Sequence, residues 1–417
     1  MNIRKAPAGT RVGDRYHHSV AGAVAIFVPL SALRALPTPA LTSVTVSSER
    51  ALQSALILAN RDGGNTTILL TDGTYTLTST LNVSAPNVTI AGASGDRTKV
   101  IIQGDAMSRT AHIGNVIRVA ASHFALHDVT LQRSRWHLIQ ITGEANAQAP
   151  AISNCILQDS YEQLLKVSDD PVNAPGMGSN NGVVENCIFQ YTAGIGPQYY
   201  IGGIDAHLAA NWLVRGNTFR SIISPSGSVA EFAVHFWDRS ANNIVERNRI
   251  INCDRGIGFG LDGGTNTGGI IRNNMIYHAA NDGRFADVAI ALTDSPGSQV
   301  YNNTVYMADR FGWSMEYRYT ATRDVLFEDN LTNKPIISRD GATGTVTHNV
   351  TNAVASWFAS VSTGDLHLVH AVPSVVHVGL PVPGLTDDFD RQPRPSAGID
   401  IGADQYEPGN RLRPARQ

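Results

Sequence analysis

Val184-Glu-Asn-Cys187-Ile-Phe189, Val214-Arg-Gly-Asn217-Thr-Phe219, Val245-Glu-Arg-Asn248-Arg-Ile250 and Ile271-Arg-Asn-Asn274-Met-Ile276 state one phrase four times over. An apolar residue is followed by two variable ones, then Asn or Cys, one more residue, and a second apolar residue. Upstream the phrase begins at Ile152-Ser-Asn-Cys155-Ile-Leu157, and downstream it continues through Val300-Tyr-Asn-Asn303-Thr-Val305. Phe327-Glu-Asp-Asn330 and Val346-Thr-His-Asn349 are worn final copies. Successive Asn/Cys positions lie 32, 30, 31, 26, 29, 27 and 19 residues apart. A non-helical period of this size predicts a β-solenoid, in which each copy is one coil of short strands. A single coil cannot bury its apolar face, whereas stacked coils share a continuous core. The Asn column is expected to stack at the ~4.8 Å inter-strand spacing as a ladder, with Asn taking the left-handed turn and bonding neighbouring backbone. Cys155 and Cys187 occupy its first two rungs, and with Cys253 they read as small buried hydrophobes rather than a disulfide framework.

Working outward, helical signal is scarce. Residues 48–60 place Leu52, Ala55, Leu56 and Leu58 at roughly helical spacing after a serine cap, predicting one short α-helix. That helix would cover the open N-terminal end of the solenoid, where a strand edge would otherwise be exposed. Strands are expected at 67–70, 75–78, 88–90 and 100–102, with Asp72-Gly73 and Ser94-Gly95-Asp96 as turns. The fold class predicted is all-β: a single-stranded, right-handed parallel β-helix over residues 41–350, a leader over 1–40, and a closing segment over 351–417.

The bulk numbers agree with this. The chain has 417 residues, 42% hydrophobic and 16% charged, with 38 glycines and a net charge of −3. No basic footprint points to nucleic acid. Arg4, Lys5, Arg11 and Arg15 precede an apolar run over residues 20–33, followed by Pro37 and Pro39, in a signal-peptide layout. The run is shorter than the ~20 residues a membrane span needs. A secreted or periplasmic monomer without a stable membrane span is expected.

Gly64-Asn-Thr-Thr-Ile68-Leu-Leu, Asp72-Gly-Thr-Tyr-Thr-Leu77 and Asn87-Val-Thr-Ile-Ala-Gly92 resemble the first coils of pectate-lyase-like β-helix proteins. The later coils are similar to bacterial right-handed parallel β-helix repeat proteins. The segment from Thr386-Asp-Asp-Phe-Asp390 to Asp400-Ile-Gly-Ala-Asp404 resembles a closing segment of such secreted proteins. The resemblance implies this fold and a polysaccharide partner, but no subfamily. Its members include lyases, glycoside hydrolases, epimerases and non-catalytic adhesins, so the chemistry must be argued from the site.

In each coil a second strand precedes the Asn phrase, and alternation along it says which side chains face out. The outward positions are Lys166, then Asp205 and His207, then His235 and Trp237. Gly258 and Gly260 follow, then Ala289 and Ala291, and finally Glu316 and Arg318. Five coil steps at ~4.8 Å predict a groove about 24 Å long, with glycine and alanine as a low floor. The insertions at 168–181 and 191–203 would form its walls. Trp237, Tyr199 and Tyr200 are candidate sugar-stacking residues, and Arg239 and Arg255 candidate substrate cations.

Two chemistries compete. In β-elimination from a uronic acid, a base takes the proton beside the carboxylate while a cation stabilises the enolate. His207 or His235 would be base or acid, Lys166 and Arg318 would neutralise the carboxylate, and Asp205 would orient a histidine. Uronate epimerisation shares this first step. Hydrolysis needs two carboxylates ~5–9.5 Å apart; among Asp205, Asp238, Asp262 and Glu316 no close pair is spelled out. Asp254, Asp262 and Asp287 are candidate oxygen ligands for Ca²⁺, and Asp169-Asp170 reads as a turn. A non-catalytic glycan-binding β-helix is the alternative from another class.

Overall fold

A computed structural model of the chain describes residues 41–280 and 286–408. Three all-parallel sheets of 12, 10 and 10 strands run its length. Each coil adds one strand to each sheet, as in Val183–Glu185, Ile188–Gln190 and Ile204–His207. This is a right-handed parallel β-helix, the fold class expected. The core is the coil interior, where equivalent side chains stack: Phe189 lies on Phe219 with ring centroids 4.7 Å apart. Of the described residues, no helix is long and apolar enough to cross a membrane. The predicted leader lies outside the described residues.

The Asn ladder shows why the phrase repeats, and it divides between two residues what the sequence reading assigned to one. The left-handed residue is the one before each rung: Asn186, Gly216, Arg247, Asn273 and Asn302 have φ of 55°, 64°, 54°, 53° and 50°. The rung itself points inward. Asn248 Oδ1 accepts the backbone N–H of Asn217 at 3.0 Å, while its Nδ2 donates to Val214 O at 2.9 Å and to Asn274 Oδ1 at 3.0 Å. The same pattern passes through Asn274, Asn303, Asn330 and Asn349. Each rung thus satisfies the buried N–H of the rung before it and adds a second bond to a strand carbonyl at the turn. Cys155 and Cys187 are buried free thiols, and the Cys155 N–H reaches Cys187 Sγ at 3.4 Å.

Glu49–Arg61 forms the capping helix, with Ser48 accepting the Ala51 N–H at its N-terminus. It buries Leu52, Ala55, Leu56 and Ala59; Leu58, expected in the apolar stripe, faces out. An unexpected strand, Thr42–Val46, pairs with Thr66–Leu70 and extends the first sheet by one rung. At the other end, Phe358, Leu366, Val375 and Ile401 pack a second apolar cluster around Met275 and Leu331. The tail docks on the column of residues that precede the ladder. Asn273 donates to Asp387 O, Asn302 to Asp400 O, and Asp329 O accepts the Gly402 N–H.

The third sheet carries the candidate site. Its register aligns Asn82, Arg118, Gln140, Lys166, Asp205, His235, Gly258, Ala291 and Glu316 in one outward row.

Candidate functional site

The outward row is not the open 24 Å groove that alternation predicts. Asn82 is exposed, and Arg118 and Gln140 are half-buried. From Lys166 through Asp205, His235, Ala291 and Glu316 the row is buried. The small residues are small because aromatic rings lie on them. A Cβ on Gly258 would sit 2.7 Å from the Phe232 ring, and Ala291 packs in a cluster with Phe232, Val288, Phe311 and Trp313. The floor is roofed, and only its N-terminal half is accessible.

At the boundary between the two halves stands a connected set of charges. Lys166 Nζ donates to Asp205 Oδ2 at 2.5 Å and lies 2.7 Å from His207 Nε2. An ammonium has no acceptor, so His207 must offer the lone pair of a neutral Nε2. Its Nδ1–H then donates to Asp169 Oδ1, 3.0 Å away. Asp169 is held in turn by Arg239 Nη2 at 2.6 Å. Burial and the neighbouring Lys166 lower the His207 pKa, outweighing Asp205 and Asp169, which raise it. Burial pushes Asp205 up, but Lys166, His207 and His235 outweigh it and hold its carboxyl well below the usual range. Trp237 donates its indole N–H to Asp205 Oδ1 at 2.7 Å and meets His207 edge-on at 4.3 Å. Its place is beside the charged pair, in contrast to the sugar-stacking role expected of it.

Four expected participants are elsewhere or inaccessible. His235 is only 1% exposed, packed between Phe232 and Trp237, with Nε2 3.1 Å from Gly260 O. It cannot meet a substrate and instead backs Asp205, its Nδ1 being 4.0 Å from Asp205 Oδ1. Arg318 is paired with Asp340, and Glu316 with Arg339 and Trp313. Glu316 stands five register steps from Lys166, about 24 Å at the strand spacing, so neither serves the same reacting centre. Arg255 pairs with Asp287 and lies over the Phe232 ring, as part of the roof.

Tyr199 and Tyr200 are exposed and line a cleft of about 310 Å³ with Arg109, Arg135, Trp136, Tyr161, Glu162 and Gln198. Burial raises the phenol pKa of Tyr200 and the carboxyl pKa of Glu162, and the charge of Lys166 acts on both. His137 sits beside them, its Nε2 3.8 Å from Glu162 Oε2. Burial, then Lys166, lowers its pKa to about 4. Gln198, Tyr199 and Tyr200 belong to the insertion at 191–203 expected as a wall; Arg109, Arg135, Trp136, Tyr161 and Glu162 were not expected there. Nor were the rungs Arg118 and Gln140, although Ile117-Arg118-Val119 and Ile139-Gln140-Ile141 alternate as the later strands do. Asp169, read as a turn residue, orients His207; its neighbour Asp170 does make the turn, accepting the N–H groups of Val172 and Asn173.

The calcium candidates do not converge. Asp254 accepts the backbone N–H groups of Ser224 and Ala230, Asp287 binds Arg255, and Asp262 lies exposed in a turn. Asp169, His207 and Asp238 do bring ligand atoms within 4.8 Å of one another. A histidine nitrogen in the set is foreign to calcium, which takes oxygen ligands. Arg239, bonded to both Asp169 and Asp238, already supplies positive charge there. The residues present do not fit calcium.

The three parallel sheets define a right-handed parallel β-helix, and comparison with solved structures finds the same fold. Pectate lyase Pel9A superposes with a TM-score of 0.50 at 14% identity, over 88% of this chain and 97% of that one. An alginate lyase from Paenibacillus sp. str. FPU-7 gives 0.44 at 14% identity, over 75% of this chain and 100% of that one. The pectin methylesterase PemA from Erwinia chrysanthemi gives 0.34 at 14% identity, over 65% of this chain and 82% of that one. No family model and no curated protein matches the sequence.

Proposed function

We propose that this protein is an exported polysaccharide lyase that cleaves a uronic-acid-containing glycan by β-elimination. The observation that carries the reading is the 2.7 Å contact between Lys166 and His207, each tied to its own carboxylate. The charge of Lys166 acts on Tyr200 and Glu162 of an aromatic and arginine-lined cleft. His207, neutral at Nε2, takes the proton beside the substrate carboxylate. Lys166, displaced from Nε2 by the substrate, meets the charge that develops on that carboxylate. The C–O bond to the leaving sugar breaks as the ring double bond forms. Tyr200, whose phenol stays protonated, gives the leaving oxygen its proton. Arg109 and Arg135 supply positive charge for neighbouring uronates. Hydrolysis is the weaker reading, because Glu162 is the single carboxylate among the residues lining the cleft and Asp205 is buried in an ion pair. Pectate lyase Pel9A, a carbohydrate-active enzyme, shares the fold, and the leader-like residues 1–40 support export.

The test is absorbance of unsaturated uronate during incubation with polygalacturonate, alginate and other uronic-acid polymers. Absorbance is expected to rise with one of them and to stay flat for His207→Ala, with circular dichroism unchanged. Reducing ends without absorbance would replace elimination by hydrolysis. Exchange of the ring proton with solvent without cleavage would indicate epimerisation.

A further inference from the structure

The outward row is closed on one side of the reacting pair and open on the other. Toward the C-terminus the next positions are His235 under Phe232 and Trp237, Gly258 under Phe232, and Ala291 under the Phe311–Trp313 cluster. Glu316 follows, tied to Trp313 and Arg339. Toward the N-terminus stand Gln140 and Arg118, both half-buried, and Asn82, exposed, in register with Lys166. Arg109 precedes the strand of Arg118, Arg135 and Trp136 that of Gln140, Glu162 that of Lys166 and Tyr200 that of Asp205, so the wall runs from the open floor to the charged pair. Among the described residues Arg109, Arg118 and Arg135 enter no ion pair, whereas every arginine named above around the roof is paired.

We infer that an acidic glycan lies only along the Asn82–Arg118–Gln140 half of the row and is cut near the chain end that reaches Lys166 and His207. This rests on the lyase reading for the reaction but on the burial pattern for the direction. Three coil steps of ~4.8 Å give about 14 Å, room for roughly three sugars on the open side. Arg118, two steps (about 10 Å) from Lys166, is the cation that would meet a uronate carboxylate there. A chain passing over Lys166 in the other direction would have to displace Phe232 and Trp237, which pack on one another through His235. The row therefore acts as a stop as well as a floor, and the enzyme is exo-acting.

Polygalacturonate and alginate digests, followed by viscosity and by product size, test this. The expected result is a single short product from the first time point, with viscosity falling slowly relative to bonds cleaved. Early loss of viscosity with a ladder of oligomers would overturn it, even if every product is unsaturated. If the ends formed are reducing but saturated, the lyase reading fails, and the same size profile still decides the direction of approach. Arg118→Ala removes an accessible side chain. It is expected to lower the preference for tetramer over dimer, as the ratio of kcat/KM, about tenfold, the worth of one charge-assisted contact. An unchanged ratio would place the chain elsewhere.

Discussion

At the residue scale, one contact constrains two protonation states. Lys166 can lie 2.7 Å from His207 Nε2 only if the ring nitrogen is unprotonated, and Asp169 holds the other nitrogen as the N–H tautomer. The His207 pKa is lowered, first by burial and then by Lys166. A lowered value keeps the base form populated below the ordinary imidazole range, so the acid limb of kcat/KM should fall below pH 6.5. Lys166→Met removes one of the two lowering causes and leaves Asp169 and Asp205, which raise the value. The His207 titration followed by NMR should therefore move to higher pH in that variant. A midpoint that stays or falls would mean that Lys166 does not govern His207. His207 and Lys166 were legible in the sequence because period-two alternation marks outward positions. The burial of His235 was not, because Phe232 and Trp237 cover it through side-chain packing that alternation does not report.

At the element scale, the repeat spacing reveals the coil, and the ladder explains its strictness. Asn248 serves Asn217, Val214 and Asn274 at once inside the turn. Asn248→Ala would leave the buried Asn217 N–H without its acceptor and would break the ladder between Asn217 and Asn274. The expected cost is on the order of 1–3 kcal/mol, read as a lower urea midpoint with an unchanged m-value. A loss under about 0.5 kcal/mol, the range of an ordinary surface change, would show that the ladder is ornamental. Alternation spelled out the third-sheet strands correctly, yet it misled about the glycines. Gly258 looks like an open floor in a one-dimensional reading, because Phe232, whose ring fills the space above it, belongs to the preceding coil. The capping helix was read nearly to its ends; its buried face differs by Ala59 replacing Leu58.

At the scale of the whole molecule, the solenoid has two ends to finish. A helix closes one, and the tail closes flank and end of the other through Asn273, Asn302 and Asp329. His367 is a pH-dependent part of that closure. Burial opposes its charge, but Asp365 on Nδ1 and Asp390 on Nε2, with Asp404 nearby, raise its pKa to about 10. A histidine raised in the folded state contributes stability that is full below about 6.5 and is lost as pH rises through its folded value. The melting temperature of the protein minus that of His367→Gln should thus be largest at pH 6 and shrink toward pH 10. A difference independent of pH would assign His367 a packing role only. The docking of the tail on the residues before each ladder rung was not legible, since that column varies among Asn, Gly, Arg, Asp and His.

The central claim is that Lys166 and His207 drive elimination on an acidic glycan, and the mass of the product tests it most directly. Elimination yields an oligosaccharide one water lighter than hydrolysis of the same bond. The account predicts that lighter mass from the wild-type protein and no product from a folded His207→Ala variant. A product carrying the full water, or an undiminished rate in His207→Ala, would contradict it.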